Sequence, residues 1–277
     1  MRTDRAGLCG SEHGSTNPPG YARYRTESVH GVHAQCRMTP ARNHLIELLP
    51  ALDRQRLLAR CEAVPLALAQ VLCVRGAPLA HVHFPLDGFI ALVNHLDCHP
   101  GLEVGMVGRE GVLGASLVLG VATVPLQSLV QGAGTAWRIT VPDFLAELER
   151  SPALRHYLHR FLYVRMAQLA TSAACLRFHL IGPRLARWLL MSQDRAGADH
   201  LQVTHEFLSS MLGVRRVGVT VAAGVLQRRG LILYHRGVLR VLDRAGLEAS
   251  ACTCYATDQR TYAEWLGVPS FAARHLV

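Results

Sequence analysis

Apolar and polar positions change rhythm several times along this chain. Residues 1–40 carry no apolar period and are rich in Gly, Ser, Pro, His and Arg. That composition predicts a disordered tail over 1–42. Helical spacing begins with NHLIELLPALDRQRLLARCEAV, where Asn43 caps the start and Pro50 opens a second turn. From Leu66 to Thr140 the texture becomes short apolar runs, such as HVHFPLDG, FIALVNHL and LEVGMVG, broken by Gly, Pro and Asp. Turn signals every ~8–12 residues predict an antiparallel β-roll or jelly roll. Its interior is expected on the strands carrying Val82, Phe84, Ile90, Leu92, Val104 and Met106.

Residues 142–178 return to a helical period. Ser151 and Pro152 form a start signal, and Leu154, Leu158, Phe161, Leu162, Leu169, Ala173 and Leu176 make a stripe at three- and four-residue steps. A long striped helix between two domains is a natural two-fold seam, so 142–180 is read as a dimerisation helix. PRLARWLLMSQDR is a further helix, and VTHEFLSSMLGV starts another near Thr204. Gly213 stands where a tight turn is needed. The next helix, RRVGVTVAAGVLQRR, has only a thin apolar seam of Val219, Ala222 and Leu226. It also contains Gly218 and Gly224, each costing a helix about 1 kcal/mol relative to Ala. Two short strands, GLILYHRG and VLRVLDR, follow around Gly237. Helix, Gly turn, helix and hairpin make a winged helix-turn-helix, in which the second helix gives most of its surface to a DNA groove rather than to a core. The whole is an α+β chain. An N-terminal double-stranded β-helix or jelly roll over 43–141 leads into the long dimerisation helix. A winged helix-turn-helix over 181–250 follows, with a C-terminal extension over 251–277.

Charge supports that reading. The 277 residues carry a formal charge of +9, and all 29 basic residues are arginine. Residues 204–244 hold seven arginines against two acids, whereas 41–178 hold twelve against ten. A local basic surplus points to an anionic partner. No apolar run is long enough to span a membrane and the N-terminus lacks an apolar signal core, so a cytoplasmic protein without a membrane partner is expected. The eight cysteines are scattered, which predicts reduced thiols. No nucleophile–base set, P-loop or Rossmann fingerprint is present, and the chain is read as a non-enzyme.

Two stretches leave room for other chemistry. His81-x-His83 on a strand, with Gly76 and Asp87, loosely imitates the first metal motif of cupin enzymes, but the second motif is missing. A metal-dependent cupin-type enzyme is therefore the rival function, and a non-DNA effector-binding scaffold a third. Cys252-x-Cys254 supplies only half of a zinc site. No metal and no cofactor are assigned.

The arrangement resembles the Crp/Fnr family of bacterial transcription regulators. HVHFPLDGFIALV and LEVGMVGREGVLGASLVLG look like that family's cyclic-nucleotide-binding-like roll, and VTHEFLSSMLGVRRVGVTVAAGVLQRRGLILYHRGVLRVLDRAGLE like its DNA-binding unit. The resemblance implies a homodimer on double-stranded DNA, working with RNA polymerase. The family's recognition helix typically begins Ser-Arg-Glu-Thr-Val; the matching positions here are Arg215, Arg216, Val217, Gly218 and Val219, with Val221 at a later contact position. The implied DNA-binding set is Thr204, Arg215, Arg216, Val217, Thr220, Val221 and Arg236. Arg216 keeps the base-reading type, and Val217 and Val221 suit thymine methyls. The resemblance puts an effector pocket at Gly108, Arg109, Glu110 and Ser128. Pro125 stands where the family's phosphate-pairing arginine would be, so the effector is left unknown and cyclic AMP is not expected. Cys9 and Cys36 are too few for the family's iron–sulfur type of sensor.

Overall fold

The computed structural model describes residues 43–96, 101–198 and 200–268. The tail expected over 1–42 lies outside them. Helical spacing after Asn43 resolves into α1 (His44–Glu47) and α2 (Ala51–Ala59), with Pro50 between. Asn43 caps α1 by accepting from the Ile46 amide at 3.3 Å, and its own amide donates to the carbonyls of Pro85 and Gly111.

Seven strands follow: β1 (Glu62–Leu66), β2 (Val71–Cys73), β3 (His81–Pro85), β4 (Phe89–Asn94), β5 (Leu102–Val107), β6 (Gln127–Gly132) and β7 (Gly134–Thr140). They pair antiparallel in two sheets, β1-β7-β3 and β2-β6-β4-β5. Gly88 makes the β3–β4 turn at φ +67°, where a Cβ would strike the Gly132 carbonyl. Leu66, Ile90, Val107, Leu113, Val130 and Ala136 form one buried cluster, with Leu92 against it. Of the positions expected inside the roll, Val82 and Phe84 instead pack on helices, Phe84 against Phe144. Met106 packs with residues further along the chain, Leu185 and Leu189 among them. Both faces of these strands are covered, so alternation alone cannot say which face is the interior.

Next come α3 (Val141–Arg150) and α4 (Pro152–Phe178). Ser151 caps α4 by accepting from the Leu154 amide at 3.1 Å, with Pro152 at the first position. A two-residue joint, His179–Leu180, leads to α5 (Ile181–Ala196). Then follow β8 (His200–Gln202), α6 (His205–Leu212), α7 (Arg216–Arg228), β9 (Ile232–His235), β10 (Val238–Val241), α8 (Arg244–Ser250) and α9 (Cys254–Leu266). The third sheet is β8-β10-β9, again antiparallel.

The segment expected as an extension after 250 is a structural part of the first core. α9 runs along α4, and Tyr262 and Leu266 join the cluster that holds Leu45, Phe84 and Phe161. The Tyr262 hydroxyl donates to the Glu110 carbonyl at 2.6 Å, and His44 Nε2 bonds the Leu266 carbonyl at 2.9 Å. Tyr255, Tyr262 and Leu266 share a helical face, but polar residues between them hide it in the sequence.

Candidate nucleic-acid interface

α6 begins at a Thr204 cap, whose hydroxyl accepts from the Phe207 amide at 3.1 Å. It ends at Gly213, φ +62°, a left-handed turn that glycine adopts without steric cost. The axis then bends by 108° into α7, inside the range expected for a helix-turn-helix. On α7 the buried residues are Val219, Ala222, Ala223 and Leu226. Each fully buried valine or leucine is worth about 1.5–3 kcal/mol, which holds the helix down by one narrow face. Gly218 has a steric role: a Cβ there would lie 2.6 Å from Ile181 Cδ1, so the glycine lets α7 close on the start of α5. For Gly224 the structure offers no such reason.

The opposite face of α7 is exposed. Arg215, Arg216, Val217, Thr220 and Val221 all lie on it, with Val217 73% and Val221 60% exposed. Two bare valines beside two arginines on a rigid helix are costly in water and suited to an edge that offers both methyl groups and acceptors. Thr220 is also part of the frame. Its hydroxyl donates to the Arg216 carbonyl at 3.1 Å and lies 3.0 Å from His205 Nδ1. His205 stacks on Tyr234 of β9 at 4.5 Å, and Tyr234 donates its hydroxyl to the Val203 carbonyl. One histidine therefore joins α6, α7 and the wing. Burial and the Arg216 charge hold its pKa below the usual histidine value, which keeps it neutral. The sequence reading missed His205 and Tyr234, because their pairing spans 29 residues and leaves no periodic signal. Arg236 sits in the β9–β10 turn at φ +48°, followed by Gly237 at φ +82°, and is exposed. Two successive positive φ values match the tight turn that fits hairpin twist.

The sequence also places Gly108, Arg109, Glu110 and Ser128 in an effector pocket, and in the structure the first three lie against α5. Glu110 is buried and pairs with Arg195 of α5 at 2.8 Å. Arg109 donates to the Asp194 carbonyl at 3.2 Å. A Cβ at Gly108 would lie 2.6 Å from the Arg195 side chain. This turn therefore seats α5. Ser128 alone of the four faces inward, buried on β6 opposite Leu92. Pro125 lies exposed in the loop before β6.

Stripe residues on α4 divide likewise. Leu154, Leu158 and Phe161 are buried in the chain's own core, so they are not free to form a seam. Leu162 is half-buried, and Leu169, Ala173 and Leu176 are exposed, as is Met166 at 64%. Positions 162, 166, 169, 173 and 176 alternate steps of four and three along the open side of α4. His83 is buried next to Arg138 and His81, and burial and those positive neighbours lower its pKa to about 4. A site with an arginine beside it repels a cation, and neither histidine belongs to a metal-sized cluster among the described residues.

Residues 183–250 match the family model of the Crp-like helix-turn-helix domain. That stretch is a DNA-binding domain of the Crp-like helix-turn-helix kind. No curated protein sequence gives a significant match. Among solved structures, the fold is similar to FixK2 from Bradyrhizobium japonicum, at TM-score 0.57 and 11% identity, covering 69% of this chain and 98% of that one. It is also similar to the c-di-GMP responsive global regulator CLP from Xanthomonas campestris, at TM-score 0.53 and 17% identity, covering 69% and 99%. A third likeness is a CRP-family transcriptional regulator from Thermus thermophilus, at 0.53 and 20%, covering 68% and 96%. These likenesses show that the chain has the fold of Crp/Fnr-family regulators. Among the described residues no single helix is long and apolar enough to cross a membrane.

Proposed function

We propose that this Crp/Fnr-type regulator works as a homodimer that reads the major groove of a two-fold-related DNA site with α7. The carrying observation is the outer face of α7, where Arg216, Val217, Thr220 and Val221 stand free of the core. Arg216 would pair with a guanine edge, and Val217 and Val221 would meet thymine methyls. Arg215 and Arg236 would hold phosphates, and Thr204, the cap of α6, would add a further phosphate contact. The dimer seam is the Leu162–Leu176 side of α4, whose four-three spacing suits a two-stranded coiled coil. RNA polymerase is the expected protein partner. No cofactor or cyclic AMP requirement is assigned, since the Gly108–Glu110 turn is committed to α5 and Pro125 offers no charge to a phosphate.

Binding-site selection from randomised duplexes, followed by sedimentation of the complex, tests this. The expected result is a two-fold motif with half-sites about one helical turn apart, bound by two chains. A monomer on an asymmetric site, or no enrichment at all, would overturn it.

A further inference from the structure

Three thiols and one imidazole converge where α4 ends. Cys175 and His179 are one helical turn apart, so both point to one side. Cys252 and Cys254 flank the start of α9, and the Cys252 amide donates to the Pro183 carbonyl at 3.3 Å, fixing that segment against α5. Cys175 Sγ lies 3.6 Å from Cys252 Sγ, and Cys254 Sγ lies 3.4 Å from His179 Nδ1. All four donor atoms fall within 4.8 Å of one another. The three cysteines are buried and form a cluster of their own, apart from the aliphatic cores.

Plain core packing does not explain an imidazole nitrogen turned toward thiols. Arg184 and Arg187 line the same cleft as Cys175, Arg187 paired with the buried Asp258 at 2.6 Å and Arg184 donating to the Leu212 carbonyl. A disulfide would use two of the four groups and leave the other two without purpose. Tetrahedral coordination uses all of them. With zinc–sulfur bonds of about 2.3 Å and a zinc–nitrogen bond of about 2.0 Å, neighbouring ligand atoms sit roughly 3.5–3.8 Å apart. The two shortest approaches, 3.6 Å between sulfurs and 3.4 Å from sulfur to nitrogen, lie within about 0.2 Å of that spacing. An iron–sulfur cluster spreads its thiolates over several irons and needs a wider cage. Three thiolates and a neutral imidazole around a divalent ion leave one negative charge, and Arg184, which has no carboxylate partner in an ion pair among the described residues, lies on the same cleft.

We propose that Cys175, His179, Cys252 and Cys254 bind one zinc ion in a closed structural site. The three thiols lose their protons to solvent on binding, and Nδ1 of His179 is the fourth ligand. With every position filled by protein, the ion has no open coordination site for catalysis. Its place is the His179–Leu180 joint. It clamps the end of the proposed dimer helix to the α8–α9 segment, and so fixes the direction in which α5 and the DNA-binding unit leave α4. Metal content is read independently of DNA binding, so failure of this site and failure of the α7 assignment are distinguishable.

The test is elemental analysis of the full chain purified under reducing conditions, with cobalt(II) added to chelator-stripped protein. One zinc per chain is expected, and cobalt should give the visible and near-ultraviolet bands of a tetrahedral thiolate site. Cys254→Ser and His179→Ala should each weaken metal retention by roughly tenfold or more, while Cys61→Ser and Cys73→Ser retain it. Should the ligand variants not fold, the wild-type cobalt spectrum decides alone. Stripped wild-type protein that takes up neither zinc nor cobalt would overturn the site. So would iron in place of zinc, or a Cys175–Cys252 disulfide in the fresh protein.

Discussion

Arg216 and Arg236 carry the same charge and are expected to do different work. Arg216 lies on the exposed face of α7, and Arg236 at the tip of the wing. Arg216→Ala should cost about 1–3 kcal/mol on the selected site and little on random DNA, since a guanine contact is lost. Arg236→Ala should weaken all sequences alike and reduce the salt slope by about one. Anisotropy titrations at several salt concentrations separate the two, and equal losses on both DNAs for Arg216→Ala would refute its role. Glu103 makes a prediction of another kind. Its carboxylate accepts from Trp188 Nε1 at 3.1 Å, at the contact between β5 and α5, and burial pushes its pKa to about 8. The folded pKa is raised, so its stability is fully present below the unfolded value of about 4.3 and is lost as pH rises toward about 8. Glu103→Gln, which keeps the acceptor, should therefore lose less Tm than wild type between pH 5 and 8.5. A Tm difference that does not change with pH would show that the carboxyl is solvated.

At the level of elements, α4 shows why one sequence stripe can serve two masters. Leu158 is 1% exposed and Leu169 is 40% exposed, although both lie on the same predicted stripe. Leu158→Ala should destabilise the fold by about 2–5 kcal/mol in urea. Leu169→Glu should instead convert the dimer to a monomer in sedimentation with little loss in the unfolding of each chain. If Leu169→Glu leaves the dimer intact, the seam lies elsewhere. The α9 helix gives a parallel test, since Tyr262→Ala should cost about 3–5 kcal/mol although it lies beyond the DNA-binding unit. The winged unit was legible in the sequence because its signals are local: the Thr204 cap, Gly213, the α7 period and the Gly237 turn all act within a few residues. Other features depend on distant partners. The burial of Leu154 is decided by packing within the roll-side core, and Glu110 by Arg195, 85 residues on. Cys252 looked like half a site because Cys175 lies 77 residues away. Periodicity reports that a face is apolar, not what covers it.

Across the whole molecule, the basic surplus over 204–244 falls on one unit, while the buried ion pair between Glu110 and Arg195 anchors that unit to the roll. The turn after β5 meets α5 through Arg109, and Asp194 is held in turn by Arg244 at 2.7 Å and by Tyr255 at 2.9 Å. The unit is thus fastened from both sides of the chain. The α9 helix has a further consequence, for synthesis. Leu45 and Ile46 are made early, yet their core also contains Tyr262 and Leu266, and His44 is tied to Leu266 across 222 residues. Contacts so far apart must wait for the intervening chain. During synthesis, therefore, the core around Leu45 and Ile46 stays incomplete until α9 has been made. Until Tyr262 and Leu266 have emerged, the surface they cover stays open to chaperones and to other nascent chains.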